Sequence, residues 1–213
     1  MSAASVARTD PRSLPRLEDP RLLTGAASFI DDLAPPGLLH AAVLRSPHAH
    51  ARIVSIDTTE AGEHPGVAGV FTAADLAPDA LGPIPCTAQV ATLAPMIVPP
   101  RFALAADRVR HVGEPVAFVV AATPHAARDA AERVVVQYDP LPPVTDARAA
   151  LAPGAPRLHD EAPGNLSYRF QKGDRAAVDA AFAAAAHRVT LDLINPRLIV
   201  APIEPRGAIA IAD

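Results

Sequence analysis

The sequence holds one cysteine, Cys86, and no tryptophan. A single cysteine excludes an internal disulfide, a four-cysteine zinc site and a four-cysteine iron–sulfur cluster built from this chain alone. Large aromatic residues are few, with six Phe and two Tyr, although half of the residues are hydrophobic. Alanine makes up the difference at 47 of 213 residues, and each alanine buries little area. Such a chain can build a core, but its composition points to reliance on a partner. Lysine occurs once, at Lys172, the arginines are scattered, and the net charge is −4. A nucleic-acid binder would show a basic stripe, and none is present. No long apolar run follows Met1, so a secretory signal is not expected. The uncharged run 80–100 is long enough for a membrane span, but it carries five prolines among Thr, Gln and Gly. It reads as an extended loop with short strands. The expected location is cytoplasmic. Twenty-four prolines also argue against a long helical bundle.

Several catalytic signatures are absent as well. There is no Gly-x-Ser-x-Gly elbow, no P-loop and no dinucleotide glycine fingerprint. Cys86 lies between proline-rich segments, with no activating histidine beside it. His48 and His50 would share one face of a strand at a spacing compatible with a metal, with His40 upstream and His64 downstream. The alternative is a polar turn after Ser46-Pro47, since no acidic or cysteine ligand sits at a matching spacing. Val112-Gly113-Glu114-Pro115 either presents a carboxylate at the mouth of a strand or forms a turn in which Gly113 supplies an unusual backbone angle. Glu204-Pro205-Arg206-Gly207 pairs an acid and a base across a proline, as a structural salt bridge or a catalytic pair.

The patterning predicts a mixed α/β chain. Strands are expected over 38–45, 51–56 and 67–71, with a short helix after Asp57-Thr58-Thr59 that ends near Gly66. The apolar run Pro115 to Ala122 reads as a strand buried on both faces. Thr123 then caps a helix that begins with Pro124, with Asp129 and Arg133 as a favourable pair. A strand from Val134 to Tyr138 completes a strand–helix–strand unit. Residues 139–172, rich in Pro, Gly and Asp, read as a connector. Asp174 caps a second helix, Arg175 to Ala186. Val189, Leu191 and Leu193 alternate in an expected strand over 188–194. A final strand is expected over 207–213, leaving a sheet edge that seeks pairing.

Taken in order, several segments resemble one family. They are Arg16-Leu-Glu-Asp-Pro-Arg-Leu-Leu-Thr-Gly25, Asp31-Asp32…Pro36-Gly37, Arg45-Ser-Pro-His-Ala-His-Ala-Arg-Ile53 and Val112-Gly-Glu-Pro-Val-Ala117. Val135-Val-Gln-Tyr-Asp-Pro-Leu-Pro142 and Asn195-Pro-Arg…Pro202-Ile-Glu-Pro-Arg-Gly207 complete the set. Together they resemble the large subunits of the molybdenum hydroxylases, the xanthine dehydrogenase and aldehyde oxidase family. Ile203 stands where that family more often carries Met.

The resemblance implies an α+β fold: an α/β hammerhead domain followed by the incomplete start of a molybdopterin-binding domain. The expected organisation is an arm over 1–19, the hammerhead over 20–145, a connector over 146–164 and the truncated start of the molybdopterin-binding domain over 165–213. The implied activity is hydroxylation or dehydrogenation of an aldehyde, an N-heterocycle or a similar small molecule, with oxygen taken from water. The family's glycine-rich loop, cofactor-contacting glutamines and glutamate base all lie downstream of the Glu-Pro-Arg-Gly motif. No catalytic, cofactor-binding or metal-binding residue is therefore carried over. Arg45, Gly113, Glu114, Glu204 and Arg206 match recurrent family positions and are the structural or interface candidates. No cofactor is expected on this chain alone; the complete enzyme would hold the molybdenum cofactor, with iron–sulfur and FAD in partner chains or domains. The implied partners are the rest of the molybdopterin-binding subunit, an iron–sulfur subunit and an FAD subunit. The competing reading is a stand-alone, non-catalytic remnant or binding module.

Overall fold

The computed structural model describes residues 16–79, 81–88, 90–196, 198–202 and 204–211. Most of the expected N-terminal arm, and Ile203, lie outside these residues. The chain divides into two compact units: Met1–Leu38 with Thr190–Asp213, and Leu39–Val189.

The smaller unit begins with α1 (Asp19–Leu23), which has Asp19 in its first turn. A 3-10 turn, Ile30–Asp32, follows, closed by the Phe29 N–H donating to the Asp32 carboxylate at 2.8 Å. The strand expected over 188–194 is not formed, and residues 207–211 form none either. Val189, Leu191, Leu193 and Ile194 are each at least three-quarters exposed. Alternation sorts side chains between two faces, but a strand also needs a hydrogen-bonded neighbour. Among the described residues neither segment finds one.

The larger unit is α+β. Its order is β1 (His40–Arg45), β2 (Ala51–Asp57), α2 (Thr59–Gly62), β3 (Val67–Thr72), α3 (Ala73–Leu76), β4 (Arg108–Val109), β5 (Pro115–Ala121), α4 (Pro124–Ala131), β6 (Val135–Pro140) and α5 (Arg175–Ala184). Two antiparallel three-stranded sheets result, β1-β5-β3 and β4-β2-β6. The strand–helix–strand order is present, but β5 and β6 join different sheets.

Helix α4 starts where the sequence places it. The Thr123 hydroxyl accepts the Ala126 N–H at 3.1 Å, and Pro124 occupies the first turn. Its buried Ala127, Ala130 and Ala131 leave room for close approach to the sheet. Ala117, Val119, Ala61 and Val134 complete that core, with Ala42, Leu44, Val67 and Val70 around it. A second core gathers Ala51, Ala105, Val109 and Val116. Strand β5 is not buried on both faces throughout: Val116 is fully buried in the second core, but Phe118, two residues on along the same face, is 36% exposed.

The run 80–100 contains no strand among its described residues. Isolated backbone bonds tie it down instead: Ile84 N–H to Arg101 O at 2.7 Å, Leu93 N–H to Arg169 O at 3.2 Å and Ile97 N–H to Ser167 O at 2.8 Å. In the following connector Asn165, at φ +53°, donates to the carbonyls of Ala150 and Pro156 and accepts the Leu158 N–H. Asp174 caps α5 by accepting the Ala177 N–H at 3.0 Å. The helix stops at Ala184, two residues short of the expected end, with no buried residue. Among the described residues no helix is long and apolar enough to cross a membrane.

Candidate functional site

Three of the five singled-out residues meet in one place. Strand β1 ends in Arg45-Ser46-Pro47, and the loop before β5 reaches it at Gly113-Glu114. The Gly113 N–H donates to Ser46 O at 2.8 Å, and the Ser46 N–H donates to Glu114 O at 2.9 Å. Arg45 Nη1 donates to Gly113 O at 2.9 Å. Gly113 adopts φ +85°, a region that L side chains enter only at a penalty. The turn reading of Val112-Gly113-Glu114-Pro115 is therefore the observed one. The Glu114 carboxylate folds back to accept the Arg110 N–H, and His111 Nδ1 lies 3.5 Å from the same oxygen.

Sequence reasoning missed Ser46 and Arg110. Ser46 is 2% exposed, and its hydroxyl donates to His48 O and accepts the His48 N–H. Arg110 donates through Nε to Leu158 O at 2.9 Å and through Nη1 to Arg108 O at 3.2 Å. Both groups serve carbonyls distant in sequence or hidden in a turn, so no short motif announces them.

The His48 and His50 pair does not form a strand face. Residues 46–50 bend, and the two rings find different partners. His48 packs at a tilt on Tyr138, with ring centroids 4.8 Å apart. His50 is buried, and its Nδ1–H donates to Pro142 O at 2.9 Å, while Nε2 has no partner among the described residues. Burial raises the Tyr138 phenol above its ordinary range, with a bond to Ser46 pulling the other way.

A cleft of about 620 Å³ opens beside the turn, with Arg110, His111, Glu114, His159 and Glu161 among its walls. Burial chiefly, and the charge of Arg110 next, push the His159 imidazole below its ordinary value against the pull of nearby acids. Among the described residues no three His, Cys, Asp or Glu side chains come together to hold a metal ion. The polar groups at the turn are engaged chiefly by backbone partners, with His111 beside the Glu114 carboxylate.

Glu204 and Arg206 belong to the smaller unit. Glu204 Oε1 accepts the Ile30 N–H at 3.1 Å, and among the described residues no ion pair joins it to the exposed Arg206. The expected acid–base pair across Pro205 is thus replaced by a carboxylate holding a 3-10 turn. Gly207 lies close by, where a Cβ would come within 2.7 Å of the Ile30 side chain.

The chain as a whole is similar to known proteins. The family model "Aldehyde oxidase and xanthine dehydrogenase, a/b hammerhead domain" matches residues 24–142. The nicotine 6-hydroxylase large subunit of Paenarthrobacter nicotinovorans is 40% identical over 201 residues, which is 93% of this chain and 24% of that protein. The carbon monoxide dehydrogenase large chain of Hydrogenophaga pseudoflava is 36% identical over 209 residues, 92% of this chain and 25% of that one. Among solved structures, quinoline 2-oxidoreductase from Pseudomonas putida 86 superposes with a TM-score of 0.69 at 41% identity, covering 82% of this chain and 21% of that one. The chain thus spans about a quarter of the length of the curated relatives it matches. It belongs to the aldehyde oxidase and xanthine dehydrogenase family, and residues 24–142 are its a/b hammerhead domain.

Proposed function

We propose that this chain supplies the hammerhead and the adjoining start of the cofactor-binding region in a molybdenum-dependent hydroxylase or dehydrogenase. Its substrate class is an aldehyde, an N-heterocycle or a similar small molecule, and its own role is structural. Residues 20–145 form the hammerhead in this reading, and residues 165–213 belong to the first molybdopterin-binding domain. Arg45, Gly113 and Glu114 hold the turn that precedes β5, while Glu204 and Arg206 support the contact to the rest of the large subunit. Iron–sulfur and FAD centres reside in partner chains or domains.

The observation that carries this reading is the apolar run on either side of Asn195-Pro196. Leu191, Leu193, Ile194, Leu198, Ile199 and Val200 are each at least 75% exposed. Burying such side chains stabilises by roughly 25 cal/mol per Å², so this run favours a bound state. In this reading the partner is the part of such a large subunit that this chain does not match.

The test is purification of the chain alone and together with the part of a relative's large subunit that it does not match. The chain alone should contain no molybdenum, iron or flavin and should exchange its amides rapidly over 188–200. The joint preparation should contain molybdenum and protect those amides. Stoichiometric metal on the isolated chain, or high protection of 188–200 in a demonstrated monomer, would favour the independent module.

A further inference from the structure

We propose that residues 143–166 form a strap that opens and closes as one unit, clasped by Asn165 and latched by Arg110, and that its closure completes the cleft beside the Glu114 turn. Both feet of the strap are fixed. At the first, the Leu141 N–H donates to His50 O at 2.9 Å and the His50 Nδ1–H donates to Pro142 O at 2.9 Å. At the second, the Ile97 N–H donates to Ser167 O at 2.8 Å, and the Ser167 hydroxyl donates back to Ile97 O at 2.7 Å.

Between the feet the backbone turns on itself. The Ala150 N–H donates to Asp146 O at 3.0 Å, the Ala162 N–H to His159 O at 3.1 Å and the Asn165 N–H to Ala162 O at 2.9 Å. One side chain draws these turns together. Asn165 Nδ2 donates to Ala150 O at 3.0 Å and to Pro156 O at 2.9 Å, and its Oδ1 accepts the Leu158 N–H at 3.2 Å. Asn165 is also the one non-glycine residue at positive φ among the described residues, a conformation that asparagine tolerates better than most. Segment 150–165 is thus an Ω-loop, with its ends close and its interior filled by its own side chains. Arg110 Nε, on Leu158 O at 2.9 Å, ties the middle of this loop to the body, while the Arg110 main-chain N–H stays on the Glu114 carboxylate.

From 143 to 166 Ala162 alone is buried, whereas Ala117 and Val119 in the sheet are fully so. A segment with fixed ends, an internal clasp and little buried apolar surface opens as a cooperative unit while the core stays folded. His159 and Glu161 ride on the strap and line the cleft together with Arg110, His111 and Glu114. Opening therefore takes away part of the cleft wall.

The experiment measures native-state amide exchange on the full chain. The amides of Ala150, Leu158, Ala162 and Asn165 should exchange at one common opening free energy, below that of Val119. Asn165→Ala should speed all four that remain at least ten-fold and leave Val119 unchanged. Ala150 and Ala162 carry the test, because their N–H groups do not bond the Asn165 side chain and a purely local loss would not reach them. Asn165→Asp keeps the acceptor for Leu158 and should give a smaller rise, which serves if the Ala variant misfolds. Arg110→Met keeps the apolar stem and removes the donors; it should speed the same amides at least three-fold with Gly113 unchanged. Diethylpyrocarbonate labelling of His159, read by mass spectrometry, should rise in step with the amides. Unrelated rates among the four amides in wild type, or a rise confined to Leu158 in Asn165→Ala, overturns the single unit. Unchanged strap amides in Arg110→Met overturn the latch. Faster amides with unchanged His159 labelling overturn the claim about the cleft.

Discussion

Gly113 offers a direct measure of how much the turn before β5 contributes to stability. Its φ is +85°, and nothing lies within 4 Å of where a Cβ would stand. A side chain there meets no clash, so the penalty comes from the backbone conformation. That penalty is about 1–2 kcal/mol for an ordinary L residue, less for Asn and more for a β-branched one. Relaxing the turn is no escape. Three hydrogen bonds join it to Arg45 and Ser46, and each contributes about 1 kcal/mol. The expected order of stability is therefore wild type, Gly113→Asn, Gly113→Ala, Gly113→Val, with the Val variant losing more than about 1 kcal/mol. Urea unfolding gives these differences from the midpoint if the slope is constant across the series. A Val variant as stable as wild type, or an Asn variant as damaged as the Val one, would falsify the conformational argument.

Other expectations follow from the same geometry. Thr123→Ala removes the cap of α4 and should cost about 0.5–2 kcal/mol; an unchanged urea midpoint at an unchanged slope would contradict the cap. Asp174→Ala should fray α5, read as faster exchange of the Ala177 and Val178 amides, and equal rates would refute it. His159 binds its proton less readily in the folded chain than in the unfolded one. The stability it contributes is therefore present above the ordinary histidine range and is lost as pH falls through its folded value. His159→Gln should flatten that part of the stability profile between about pH 7 and 5, and an unaltered profile would show that the imidazole is not the source.

The elements whose signals are local were legible in the sequence. Thr123-Pro124 and Asp174 announce their helices because a cap needs only a side chain and a backbone N–H three residues on. Strands β1, β2, β3 and β5 follow from their apolar runs. Which strand pairs with which was not legible: β5 joins β1 and β3, while β6 crosses to β2. Strand β4, two residues long, is too short to show a period. The run 188–194 alternates well, yet alternation alone does not supply a neighbour. At the candidate site, Gly-Glu-Pro gave away the turn. Ser46, Arg110 and His159 did not show, because their partners are brought together only by the fold.

The pairing order also sets a schedule for biosynthesis. His40 pairs with Ala121 and Ala51 with Pro140, so the first strands made are completed by the last two strands of their unit. At roughly 5–20 residues per second of synthesis, β1 spends about 4–15 s outside the ribosome's supply of its partner β5. During that interval β1, β2 and β3 exist as unpaired apolar segments. Such non-local closure slows folding and exposes strand edges to neighbouring chains. Slower translation would lengthen that exposure, which makes chaperone demand during production of this chain a consequence of its sheet order.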